Sequence, residues 1–383
     1  MVPAAEIARR FPLVARPRPA CPSLSMRVSE IGDLASAAAS ESGARSLSLA
    51  AVAHNKAALI LSDCGLPDLA RSLCHRQLDL HLRARPLGAQ PARNALEPAV
   101  NLARLLLRGG DGERAYQLLD TLYDAVRSRS GTVIDGRPVT FRDFTVTDEN
   151  HRALCQWLRA VLLADGTRAL ASAGRWDHAL AHIERHAGIG HRLLDGRQVA
   201  ILARCNAADP DSALSIVQDS ATPEPWERAV AACLTVLCSR SRPAESAITA
   251  MAGHYLALEP DPQLLVFSVR LGLIVVDLAG DTQPRAVDRA AARLIRQTAE
   301  YGDGYAARDV LAHNACRARL TDAEEHALAA AMLSSGLGRG QLPQKLMTDL
   351  QTAVKASEVI TARNLAIPAA EGGSAGAQPG ADR

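Results

Sequence analysis

The 383-residue sequence predicts an all-α chain built as an array of antiparallel helical hairpins, with a single β-hairpin inserted. Three observations carry this. Apolar residues make up 48% of the chain but aromatics only 3%, so Ala, Leu, Val and Ile must build the core, and Ala and Leu favour helix. Small and bulky positions recur together at a spacing of 34 residues. One stretch alone alternates β-branched and polar residues about an Asp-Gly pair.

The helical hairpin is clearest in "ALASAGRWDHALAHIERH" (Ala169–His186). Gly174 supplies the turn. After it, Trp176, Ala179, Leu180 and Ile183 fall on one helical face, and before it Leu170 stands among small residues that permit close packing. Stepping by 34, Ala179 maps onto Ala213 and Ala247, Ile183 onto Val217 and Met251, and Ala171 onto Cys205 and Ser239. Two earlier segments share the local pattern of a glycine five residues before an alanine: Gly65 with Ala70, and Gly110 with Ala115. Further hairpins are expected in "LAGDTQPRAVDRAAARLI" and "ARLTDAEEHALAAAML".

"SGTVIDGRPVTFRDFTVTDEN" (Ser130–Asn150) is the β-hairpin, turning at Asp135-Gly136. Phe141 and Phe144 within it are candidates for a lid over a groove. The next helix should start with Thr147 or Asp148 as its N-cap, with Glu149 at its positive end. The expected organisation is a basic, disordered extension over 1–25 and N-terminal helical repeats over 26–129. The insertion then occupies 130–150, regular repeats 151–255, C-terminal helical repeats 256–367, and a disordered Gly-rich tail 368–383. Met26, which opens the first amphipathic pattern, is an alternative start.

A 34-residue period in helical hairpins, with "SAGRWDHALAH" as its best copy, resembles the tetratricopeptide family over roughly residues 48–255. The early Trp and late Pro of that family are mostly missing, so the resemblance is to a divergent member. It implies a right-handed solenoid whose first helices line a concave groove. Counting back from the marker alanines places Asn55, Lys56, Asn101, Arg104, Arg108, Arg168, Asn206 and Arg240 on or near that groove. Family members with a carboxylate clamp use Asn and basic residues there. Asn55, Lys56 and Asn101 resemble part of such a set, although the registers of Asn55 and Asn101 differ by one. Guanidinium and carboxamide groups suit an acidic peptide, because Arg grips carboxylate in a bidentate fork.

Other motifs carry less. His178, His182 and His186 recur every four residues, but no Cys or carboxylate completes a zinc site, so a solvated or partly packed face is expected. "SSGLGRGQLPQK" has its lysine displaced from the spacing of a phosphate loop and no preceding strand. Cys64 and Cys74 lack a visible activating base and should pack as apolar thiols. No catalytic motif, metal set or cofactor motif is present. The net charge of +2 offers nucleic acid no general attraction, and 1–47 is too short and Ala/Ser-rich for a DNA-binding domain. Eight scattered cysteines without a C-x-x-C pair point to reduced thiols in the cytoplasm. No membrane span is expected, since "LLVFSV" and "LGLIVVDLAG" are short and split by Arg270. Only Lys56, Lys345 and Lys355 among the 43 basic residues are lysines, a bias typical of GC-rich, for example actinobacterial, genomes.

The functional expectation is a non-catalytic scaffold holding a protein or peptide partner in its groove. Two other classes fit the same pattern: an accessory subunit that grips the precursor peptide in a peptide-modifying, lanthipeptide-like natural-product assembly, and a sensor protein of a transcription pathway.

Overall fold

Glycine and Asx turns divide the chain into helices of quite different length. The computed structural model describes residues 3–239 and 243–366. The expected tail from 368, and Arg240, lie outside the described residues. Helices α1 (Ala4–Ala8), α2 (Leu24–Ser40), α3 (Gly43–Asp63), α4 (Pro67–Arg83), α5 (Ala89–Arg108) and α6 (Gly112–Arg127) precede strands β1 (Gly131–Ile134) and β2 (Arg137–Thr140). Helix α7 (Asp148–Val161) passes through a π-helical turn, Leu162–Gly166, into α8 (Thr167–Ser172). Next come α9 (Trp176–Arg185), α10 (Asp195–Asn206), α11 (Pro210–Gln218), α12 (Pro225–Leu237) and α13 (Glu245–Leu256). The last helices are α14 (Leu265–Ala279), α15 (Pro284–Tyr301), α16 (Gly304–Leu311), α17 (Asn314–Arg317), α18 (Asp322–Ser335) and α19 (Gln344–Leu365).

The described chain is thus mostly helical, and neighbours in sequence pack on one another: α2 on α3, α4 on α5, α9 on α10, α12 on α13, α14 on α15. Gly65, Gly110 and Gly174 all have positive φ, as glycine turns between hairpin helices require. Of the marker positions, Ala171, Ala179, Ala213, Ile183, Val217 and Met251 are buried, whereas Ala247, Cys205 and Ser239 are only partly so. Thr147 is the N-cap of α7, accepting from the Asn150 amide at 3.1 Å.

Two apolar cores result. The first gathers α2–α7, the hairpin and part of α19; the second gathers α1 and α8–α18, and Tyr116 packs against both. Helix α19 lies on α2, α3 and α4, so the last helix joins the first core. Asp63 clamps this closure: it takes Arg27 in a buried ion pair, accepts from the Tyr305 hydroxyl, and its carbonyl receives the Gly338 amide at 2.7 Å. The glycine-rich "SSGLGRGQLPQK" segment is therefore a docking loop, its Gly340 amide also bonding the Cys64 carbonyl. The 18-residue run Pro262–Ala279 is apolar and long enough by composition to cross a membrane, but α14 is largely buried within the second core.

Two expectations need correction. Residues 3–25 are not a loose extension. Ile7, Ala8, Phe11 and Leu13 are buried in the second core, and both backbone polar groups of Leu13 bond the Gln198 carboxamide at 2.7 Å. Arg10 reaches Asp277 at 2.6 Å, Arg16 pairs with Asp195, and the Cys21 amide donates to Asp303 at 2.6 Å. Prolines 12, 17, 19 and 22 hold this strap extended and remove donors that would otherwise need partners. Phe141 and Phe144 are not a lid either. Both are buried in the first core, edge to face at 5.3 Å, because Ile134 and Val139 bring the hairpin down as a core element. Its two-residue turn, with Asp135 at φ 47° and Gly136 at φ 80°, is pinned to α4 by His75–Asp135 at 2.8 Å.

Candidate functional site

Helix α5 carries the site. Its residues Arg93, Glu97, Asn101, Arg104 and Arg108 follow one another at three- and four-residue steps and share a face. That face, with α3 opposite and α7 beside it, bounds a cavity of about 430 Å³. Asn55, Lys56, Asn101, Arg104 and Arg108 all line it, so five of the eight residues expected from the sequence meet in one place. Asn206 does not, since it bonds the Leu202 carbonyl of its own helix. Arg168 joins the site indirectly.

The polar side of the cavity is a continuous hydrogen-bonded chain. The Asn55 amide donates to Glu97 at 2.7 Å, the Asn101 amide to Asn55 at 3.0 Å, and Arg104 to Asn101 at 3.1 Å. Arg104 also grips Asp165 with Nε at 2.9 Å and a terminal nitrogen at 2.8 Å. Asp165 belongs to the π-helical turn, whose extra residue per turn re-aims side chains. Arg168 lies 3.8 Å from Asp165 and 3.5 Å from Asp195. Lys56 pairs with Glu30, and Arg108 sits 3.6 Å from Asp63. Each expected cation among the described residues therefore has a resident carboxylate, which orients its head group and lowers the surplus charge it can offer a ligand.

Val52, Leu59, Val100, Leu105, Val161 and Trp157 add apolar surface to the same lining. Trp157 is half-buried, and the Arg93 guanidinium stands over its ring at 5.2 Å. The sequence reading missed Arg93, Glu97 and Trp157. Continuing the α5 face backwards in fours from Asn101 would have found the first two. Nothing local marks Trp157, because its approach to α5 is a tertiary event. Pro19 of the strap also lines the cavity, and its neighbour Arg18 is solvent-accessible but enclosed by enough protein and enough arginine to lower its pKa to about 10.

The histidine series divides three ways. His178 is exposed, His186 is part-buried, and His182 is fully buried with its pKa lowered to about 4, first by burial and then by His186. His182 faces the Tyr116 hydroxyl at 3.3 Å and the Leu162 carbonyl of the π turn at 3.2 Å. That depth was not expected of a face read as solvated or partly packed. Among the described residues, no group of three His, Cys, Asp or Glu side chains is placed to hold a metal ion.

Neither the models of known protein families, nor the curated proteins, nor the solved structures provide a match for this chain.

Proposed function

We propose that this protein is a non-catalytic helical-repeat scaffold, tetratricopeptide-like in its hairpins, that holds a peptide segment of a partner against α5. The cavity between α3, α5 and α7 carries the reading. Its lining combines an ordered row of carboxamide and guanidinium groups with apolar side chains that include a half-buried Trp, which is the composition of a peptide-recognition pocket. A peptide combining an acidic residue with an adjacent apolar side chain fits such a lining. The glycine turns and the 34-residue register supply support for the repeat assignment. The C-terminal half has a cavity of its own, about 550 Å³ and lined by α15 with Arg319 and Glu324, but its lining includes no aromatic and no carboxamide side chain.

The test is an array of synthetic peptides, each with acidic residues flanking one apolar residue, probed with purified protein. Wild type is expected to retain a subset that Arg104→Ala and Trp157→Ala each lose. Equal retention by the two variants, or retention of neutral peptides alone, would refute the proposal.

A further inference from the structure

Helix α15 carries an arginine row that the protein itself leaves unanswered. Its inner face, with Val287, Ala290, Ala291, Leu294 and Ile295, is buried in the second core. Its outer face exposes Arg285, Arg289, Ala292, Arg296 and Ala299, at alternating steps of four and three residues that keep them on one line of the helix. Among the described residues, Arg285, Arg289 and Arg296 have no ion pair and no side-chain hydrogen bond. The neighbouring carboxylates are engaged elsewhere. Asp288 takes Arg319 at 2.9 Å, and Glu324 accepts from the amide and hydroxyl of Thr321 at 2.9 and 2.8 Å to close the capping box of α18. Glu300, one turn beyond Arg296, is the one further carboxylate of the helix. The cavity of about 550 Å³ lies against this row, and its lining joins the aliphatic Ala292, Ile295 and Ala299 to the guanidinium groups of Arg296 and Arg319.

We propose that this face of α15 is a docking surface for an extended acidic segment of a partner protein. Charge complementarity carries the assignment. Arginines at a four-residue step repel one another, and a chain of carboxylates laid along the row replaces that repulsion with ion pairs, which Arg forms in a bidentate fork. From Arg285 to Arg296 the row rises about 16 Å along the helix, the span of about five extended residues. The cavity then takes an apolar side chain next to the last carboxylate, since Arg296 borders it and Ala292 and Ala299 are small. This surface belongs to the second core and shares no residue with the lining of the α3–α5–α7 cavity, so it stands independently of the peptide pocket.

The experiment uses the full-length protein and a fluorescein-labelled hexaglutamate peptide, read by anisotropy at low and at physiological salt. Wild type is expected to bind it, more weakly as salt rises. Arg289→Gln should weaken binding roughly threefold, and Arg289→Gln combined with Arg296→Gln roughly tenfold, the scale of one and two exposed ion pairs. Both variants should melt no earlier than wild type, since neither arginine has a partner to lose. A leucine added after the last glutamate should tighten binding to wild type, and Ala292→Trp should cancel that gain by filling the cavity. No binding by wild type, or equal binding by the double variant, refutes the surface. Loss of binding in Arg104→Ala with none in the α15 variants would put the acidic chain in the α5 pocket and refute it as well. Tighter binding of a single-stranded oligonucleotide through the same arginines would replace the protein partner by nucleic acid and overturn the assignment. A leucine gain that survives Ala292→Trp would strike the cavity from the interface. Hexaglutamate bound through Arg289 and Arg296, with no array peptide lost by Arg104→Ala, would leave this surface standing and remove the pocket reading.

Discussion

Replacing Phe11 by Ala tests whether the strap is structural. Phe11 is 3% exposed and sits with Ile7 and Leu13 against the second core. Deleting a buried Phe side chain costs about 3–5 kcal/mol, the transfer of the ring plus the cavity left behind. A strap without helical bonds can settle partly into that cavity, so the low end, about 3 kcal/mol, is expected. That is a large share of the roughly 5–15 kcal/mol by which a folded chain is stable. Arg16→Ala is the internal control. Its guanidinium is nearly half exposed, and an ion pair of that kind is worth at most about 1 kcal/mol. Urea unfolding followed by circular dichroism reads both variants, with the m-value checked for constancy. A version lacking residues 1–16 extends the series. It removes three large buried side chains, each worth about 1.5–3 kcal/mol, and should expose apolar surface that binds a hydrophobic dye. If Phe11→Ala shifts stability by less than about 1 kcal/mol, or no more than Arg16→Ala does, the strap does not pack as described.

Four other outcomes are expected. His182 has its pKa lowered to about 4 from 6.5, so its contribution to stability is complete above pH 6.5 and is lost as pH falls toward 4. That interval corresponds to at most about 3 kcal/mol, and a His182→Gln variant should flatten stability against pH over the same window in chemical denaturation. Gly112→Ala should be strongly destabilising, because a Cβ there would stand 2.3 Å from the Ala169 carbonyl oxygen, a backbone atom that cannot step aside without moving α8; a melting curve matching wild type would count against that close approach. Asp63→Ala should cost about 3–5 kcal/mol by leaving the buried Arg27 uncompensated, measurable as a loss of urea resistance. Cys205, a part-buried thiol whose neighbour Cys238 lowers its pKa, should be labelled by a thiol-specific disulfide reagent before the fully buried cysteines, as peptide mapping would show.

What could be read from the residues was what local chemistry decides. Gly174, Gly65 and Gly110 announce left-handed turns, Asp135-Gly136 announces a two-residue hairpin, and Thr147 announces a helix start. Each needs only its immediate neighbours. The α5 face was also legible, because Asn101, Arg104 and Arg108 are related by helical spacing alone. Long-range packing was not legible. The strap reads as a basic, proline-bearing leader, and it is packing into the second core that turns Ile7, Phe11 and Leu13 into core residues. Phe141 and Phe144 look equally like a lid or a plug until Ile134 and Val139 are seen to face inward. The closure through Asp63 links residues more than 240 apart in sequence, which no periodicity reports. The π turn at Leu162–Gly166 has no compositional mark, although it aims Asp165 at Arg104.

The most direct test of the pocket is amide hydrogen exchange on the full-length protein, with and without the best-retained acidic peptide. Slowed exchange confined to α3, α5, α7 and the Arg18–Pro19 stretch of the strap is the predicted result. Slowed exchange along α10, α12 and α14 instead, with α5 unchanged, would contradict it.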